Sequence, residues 1–80
     1  MDHVEFGELH YRCVVAKELY AFQIEKTIAM LAKITSEPLP LEDRLNLLTQ
    51  EVRESEAHDA YMGAKRVLHY LAKLGYGFST

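Results

Sequence analysis

The sequence contains a single cysteine, Cys13, so no disulfide can close within the chain and no cysteine pair is present to build a zinc site. Long hydrophobic runs are missing too. The longest unbroken apolar stretch is Ile28 to Ala32, far short of the roughly 18 to 20 residues that a membrane-spanning helix needs. The first residues lack a basic segment followed by an apolar one, and a cytoplasmic location is expected. Basic residues never run more than two together between Arg12 and Lys73, and the formal net charge is -3. A duplex-binding surface ordinarily shows a basic stripe, so nucleic acid is not an expected partner. No glycine-rich phosphate loop, nucleophile elbow or metalloprotease motif occurs. Nothing argues for catalysis, and neither a catalytic residue nor a cofactor is assigned.

What the sequence does contain is 49% hydrophobic and 26% charged residues, the balance of a folded, soluble protein as opposed to a disordered tail. With 80 residues it makes one small domain, whose core is marginal unless something staples it. Disulfide and cysteine-zinc staples being excluded, self-association is the remaining inexpensive one.

Both prolines, Pro38 and Pro40, fall in "TSEPLPLED", where each disfavours helix in the residue before it. On either side apolar residues recur at steps of three and four, the spacing of one helix face. The expected fold is all-α: one domain over 1–80, with a first helix at about 2–34, a Pro-containing turn at 35–39, a second helix at about 40–74 and a tail at 75–80. A connection this short favours antiparallel neighbours, a helical hairpin. Asp2 and Glu5 have the spacing of a capping box, with Met1 and Phe6 as a staple. Gly7 weakens a helix by about 1 kcal/mol relative to Ala and makes Glu8 an alternative start. For the second helix, Pro40 suits the first helical position, Glu42 and Asp43 suit the positive end of the dipole, and Lys73 suits the last turn. Gly75 is the expected left-handed stop, with Tyr76 folding back on Leu71.

Both helices are apolar over more than one face. In the first, Leu9, Cys13, Ala16, Tyr20, Ile24, Thr27, Leu31 and Ile34 form one stripe, and Val4, Tyr11, Val15, Phe22 and Ala29 a second. In the second, the inner stripe is expected along Leu41, Leu45, Leu48, Val52, Glu56, Asp59, Gly63, Val67, Tyr70 and Leu74, with Ala57, Tyr61, Ala64, Leu68 and Leu71 extending it sideways. A helix apolar over so much of its circumference is normally covered on several sides. A homodimer forming a four-helix bundle supplies that cover, with Val15, Phe22, Ala29, Tyr61, Ala64 and Leu68 as the expected dimer or partner interface. The alternative is a chain that bends into three helices and covers itself.

Glu56 and Asp59 interrupt this expected seam. A turn near Pro38 puts Tyr20 opposite Ser55 and Ala16 near Asp59, with Gln23 one turn away, so Tyr20, Gln23, Ser55, Glu56 and Asp59 form an expected polar layer at mid-bundle. Three roles fit it. The acids can sit at the rim and pair with Lys17 or Arg12, with Tyr20 donating a hydrogen bond. A polar layer can fix dimer register. Or two copies of Glu56 and Asp59 can converge on a divalent metal, although the Glu-x-x-His pair of di-iron bundles is missing, since Gly7, Ser55 and Arg66 stand three residues before His10, His58 and His69. Of the remaining reactive groups, Cys13 fits a small core hydrophobe near Met62, and His58 fits a surface pair with Glu54. Tyr11, Tyr61, Tyr70 and Tyr76 fit half-buried core or interface positions.

Excess apolar surface is the strongest feature of the chain, and such surface marks interaction sites. The expected function is a small homodimeric interaction or regulatory module that binds a protein partner, a basic or neutral one given its own acidic balance. The alternatives are a carboxylate metal-binding bundle centred on Glu56 and Asp59, and a small-ligand pocket at the polar layer.

Overall fold

The computed structural model of the chain describes residues 3–34 and 39–75. Two helices account for most of them: α1 at His3–Ala32 and α2 at Leu41–Lys73. Among the described residues there is no strand. Contacts run in opposite order along the two helices. Met30 lies by Leu47, Gln23 by Gln50, Tyr20 by Tyr61 and Phe6 by Leu68, so α1 and α2 are antiparallel. The fold is the all-α hairpin that the apolar spacing predicts.

The helix ends follow from local chemistry. Pro40 is the residue flanking α2, not its first helical one: φ is -55° but ψ is 149°, an extended value. The proline ring fixes φ and leaves ψ free, so Pro40 enters the helix only through its carbonyl, which accepts the Arg44 N–H at 3.1 Å. No side chain caps this end, and Glu42 and Asp43 supply the negative charge in the first turn. At the other end Leu74 N–H reaches the Tyr70 and Leu71 carbonyls, and Gly75 N–H donates to the Ala72 carbonyl at 3.0 Å with φ at 88°. A side chain at that φ meets its own backbone, which is why glycine stands there. α1 ends by tightening, with Lys33 N–H on the Met30 carbonyl and Ile34 N–H on the Leu31 carbonyl, each three residues back. The expected capping box at Asp2, the staple at Met1, most of the Pro-containing turn and the Tyr76 contact lie outside the described residues.

The two helices meet along a regular seam. On α1 and just beyond it, Phe6, Leu9, Cys13, Ala16, Tyr20, Gln23, Thr27, Met30 and Ile34 are half-buried; on α2, Leu47, Gln50, Glu54, Ala57, Tyr61, Ala64, Leu68 and Leu71 are half-buried or buried. Both sets step alternately by three and four, the spacing of a coiled-coil seam. The hairpin is an antiparallel coiled coil.

The α2 seam is not the expected one. Leu41, Leu45, Leu48, Val52, Glu56, Asp59, Gly63, Val67, Tyr70 and Leu74 are all exposed. The observed seam lies two positions along in the first half of α2, roughly 160° round a helix of about 3.6 residues per turn, and mostly one position, roughly 100°, in the second half, because it steps at the shorter coiled-coil repeat. Energetics explain the choice. Turning the expected line inward would press two carboxylates and Gly63 against α1, and an unpaired buried carboxylate is costly. Turning the line Ala57, Tyr61, Ala64, Leu68, Leu71 inward buries aromatic and aliphatic surface instead. Continuity of the seam then carries Leu47 and Gln50 inward and leaves Leu41, Leu45, Leu48 and Val52 outside.

A pair of helices has little interior. Among the described residues, only Leu71 and Gln50 are buried, at 9% and 2% exposure. The Cα radius of gyration is 17.8 Å, against about 12 Å for a compact chain of this length. The chain exposes 6310 Å², where a compact monomer of its mass exposes about 4,900 Å². The excess of roughly 1,400 Å² goes with the elongated shape of a two-helix hairpin, 58 × 16 × 14 Å in extent.

Candidate functional site

Gln50 is the most enclosed side chain of the hairpin. Its Nε2 donates to the Gln23 backbone carbonyl at 3.0 Å and to Gln23 Oε1 at 2.9 Å, while Thr27 Oγ1 donates to the same carbonyl at 3.1 Å. A buried amide without partners would destabilise the pair of helices; this one is held by two acceptors on the facing helix. Both amides therefore favour one axial alignment of α1 on α2, because a slide of one heptad would set Gln50 against Ala16 or Met30.

One turn toward the open end of the hairpin, Tyr20 lies between two rings. It stacks on Tyr61 with centroids 6.3 Å apart and meets the edge of His58 at 5.2 Å. His58 Nδ1 is 3.3 Å from Asp59 Oδ1, an exposed contact between neighbours in sequence. The expected partner of His58, Glu54, is instead on the seam, and Asp59 meets His58 where Lys17 or Arg12 was expected. The cause is rotational: with α2 turned as it is, Asp59 points away from α1, and the His58 ring is drawn to Tyr20.

The expected polar layer thus divides. Tyr20 and Gln23 lie in the seam, where they meet His58, Tyr61 and Gln50; Ser55, Glu56 and Asp59 are exposed on the other side of α2. Among the described residues, no group of three or more His, Cys, Asp or Glu side chains is gathered in a way that would hold a metal ion. Cys13 is half-buried in the seam. Among the described residues, clefts near the ends of the hairpin include one lined by Met30, Lys33, Ile34, Asp43, Asn46 and Leu47, one by Phe6, Gly7, His10, Leu68 and His69, and one by Gly7, Glu8, Tyr11 and Arg12. None of these three touches Tyr20, Gln23 or Gln50.

The expected interface residues divide likewise. Phe22 is 53% exposed, with the Lys26 ammonium 5.5 Å from its ring centre, and Ala29 is exposed beside it on the outer side of α1. Val15 is half-buried. Tyr61, Ala64 and Leu68 belong to the seam with α1, and Tyr61 carries Lys65 Nζ at 5.9 Å from its ring. Tyr11 and Tyr70 are exposed.

Two features escaped the sequence reading. Gln50 is one, since a polar residue breaks an apolar stripe and its partner is 27 positions away. The other is that Leu41, Leu45, Leu48 and Val52, between 53% and 63% exposed, form an outward stripe with its own four-three-four spacing. That spacing was visible, but periodicity alone does not say which of two stripes on a helix faces its neighbour. No helix among the described residues is long and apolar enough to cross a membrane. No protein-family model, curated protein or solved structure matches the chain.

Proposed function

We propose that the protein is a cytoplasmic, homodimeric interaction module that acts by binding a protein partner, with no catalysis of its own. One observation carries this reading. The described residues include thirteen large hydrophobic side chains left at least a third exposed, distributed over both helices. Scattered exposed apolar residues are ordinary, but Leu41, Leu45, Leu48 and Val52 align on one side of α2, and such a stripe marks a contact surface. The excess of roughly 1,400 Å² over a compact fold exceeds the ~800 Å² that each partner contributes to a standard interface. It is enough for one interface of standard size, and a second would be smaller.

Site-specific photo-crosslinking tests the partner. A photoreactive residue at Phe22 or Tyr70, both exposed in the hairpin, is expected to trap the same discrete protein in cells at native expression. The trapped band is expected to vanish when the neighbouring Leu19 is changed to Asp. Crosslinks to the chain itself alone, from both positions, would overturn the partner and leave a protein whose exposed faces serve only self-association.

A further inference from the structure

The outward stripe of α2 is short, regular and bounded. It begins at Leu41, the first helical residue, continues through Leu45 and Leu48, and ends at Val52, about 18 Å of helix at ~1.5 Å per residue. Beyond it the same side of α2 carries Ser55, Glu56 and Asp59, all exposed. Steps of four, three and four are the spacing of a coiled-coil seam, repeated here on the face away from α1. Such a stripe fits another helix carrying the same spacing.

The residues beside the stripe specify which helix and which direction. Arg44 and Glu51 immediately precede Leu45 and Val52 and line one edge; Glu42 and Thr49 immediately follow Leu41 and Leu48 and line the other. All four are exposed. In an antiparallel pair of identical stripes, Leu45 of each copy meets Leu48 of the other, and Leu41 meets Val52. Flanking residues on the same edge then face each other: Arg44 of each copy stands beside Glu51 of the other, twice by symmetry, while the opposite edge pairs Glu42 with the neutral Thr49. A parallel pair instead sets each Glu51 against a Glu56, two like-charge contacts. Edge charges of this kind decide orientation in coiled coils. They favour the antiparallel arrangement with a second copy.

The acids acquire a role in this arrangement. Sliding one copy by a heptad would bring Asp59 against Leu41 and Ser55 against Leu45, placing a carboxylate on an apolar side chain. Glu56 and Asp59 thereby keep the overlap from extending beyond 41–52, while a slide the other way takes the partners from Leu48 and Val52. We infer that two copies of this chain associate through the Leu41–Leu45–Leu48–Val52 stripe of α2, antiparallel, with Arg44–Glu51 pairs on one edge. The inference rests on the self-association reading above and names the surface that performs it.

Sedimentation equilibrium of the full chain, with far-UV circular dichroism as a folding control, tests it. The wild-type chain is expected to be dimeric. Leu45→Asp/Leu48→Asp is expected to be monomeric with unchanged helix content, because both positions are outside the hairpin seam. Arg44→Glu and Glu51→Arg are each expected to raise Kd by about tenfold, since each converts two opposite-charge contacts into two like-charge ones. An equimolar mixture of these two single variants is expected to form a heterodimer of wild-type affinity, because every flanking contact is then opposite in sign. A wild-type chain that stays monomeric up to millimolar concentration would overturn the inference together with the self-association reading. A wild-type dimer left intact by Leu45→Asp/Leu48→Asp would overturn the inference alone. Should that double variant lose its helices, the charge variants decide: no change in Kd, or tighter association by Glu51→Arg, overturns the antiparallel stripe.

Discussion

Replacing Gln50 by Ala removes the side chain best enclosed by the hairpin and both hydrogen bonds that it donates to Gln23. Each bond contributes about 1 kcal/mol net, and loss of the packed side-chain atoms adds up to about 1 kcal/mol, so Gln50→Ala is expected to cost about 2 to 3 kcal/mol. Gln23→Ala is milder. It removes only the 2.9 Å contact with Oε1 and leaves the Gln23 backbone carbonyl in place for Gln50, so a cost of about 1 kcal/mol is expected. The double variant should cost less than the two singles added together, by the worth of the shared side-chain bond, about 1 kcal/mol.

Urea unfolding followed by far-UV circular dichroism, at one fixed protein concentration because dimerisation shifts apparent stability, measures all three differences. In a chain of this size each 1 kcal/mol also moves Tm by about 4 to 8 °C, well within the resolution of a melt. The apolar counterpart Gln23→Leu/Gln50→Leu is expected to be at least as stable as the wild type, because both members of a polar pair are then removed together. Its register should be less well fixed, visible as multiple or broadened amide resonances. A coupling energy below about 0.3 kcal/mol, or a Gln50→Ala cost no larger than that of Gln23→Ala, would show that the amide pair does not hold the helices together.

Three further substitutions probe the ends and faces. Leu71→Ala, at the one buried aliphatic position among the described residues, is expected to cost about 2 to 4 kcal/mol in a urea titration, most of the stability of so small a core, whereas Leu31→Ala at an exposed position should cost the hairpin less than about 1 kcal/mol. Equal costs would contradict the burial pattern. Gly75→Ala, at φ 88°, is expected to cost about 1 kcal/mol in the melt without altering the sedimentation mass; an unchanged or higher Tm would contradict the left-handed stop. Glu56→Gln/Asp59→Asn is expected to change hairpin stability by less than about 1 kcal/mol, since both side chains are exposed, and to broaden the register of the proposed dimer, read from crosslinks between introduced cysteines.

The position of α2 along α1 was legible in the sequence, but its rotation was not. A turn centred near Pro38 places Gln23 opposite residue 52 and Tyr20 opposite Ser55; Gln23 meets Gln50, two positions away, and Tyr20 meets His58 and Tyr61, three and six positions away, so the alignment was legible to within about two turns. Translation along the axis is set by where the chain reverses, and two prolines mark that place. The α1 seam was legible in part: Leu9, Cys13, Ala16, Tyr20, Thr27 and Ile34 lie in it and are half-buried, but the expected Leu31 is 53% exposed, and Gln23 and Met30 take the seam positions expected of Ile24 and Leu31, because the seam steps by three and four at the shorter coiled-coil repeat.

Rotation of α2 depends instead on a comparison that no single helix contains. Its first half offers α1 either four large aliphatic residues or the line through Leu47 and Gln50; its second half offers either two carboxylates and Gly63 or the line through Ala57, Tyr61, Ala64, Leu68 and Leu71. A straight helix turns as one body, so the halves cannot choose separately. The cost of pressing Glu56 and Asp59 into a dry seam outweighs the gain from Leu41, Leu45, Leu48 and Val52, because Gln50 donates to acceptors on α1, whereas two buried carboxylates would each need donors or a cation to offset their desolvation. The leucines are then left on the outside with coiled-coil spacing intact. Glu56 and Asp59 do not interrupt the hairpin's core; they select which face of α2 becomes the core, and in doing so leave Leu41, Leu45, Leu48 and Val52 outside, the stripe proposed above to pair with a second copy.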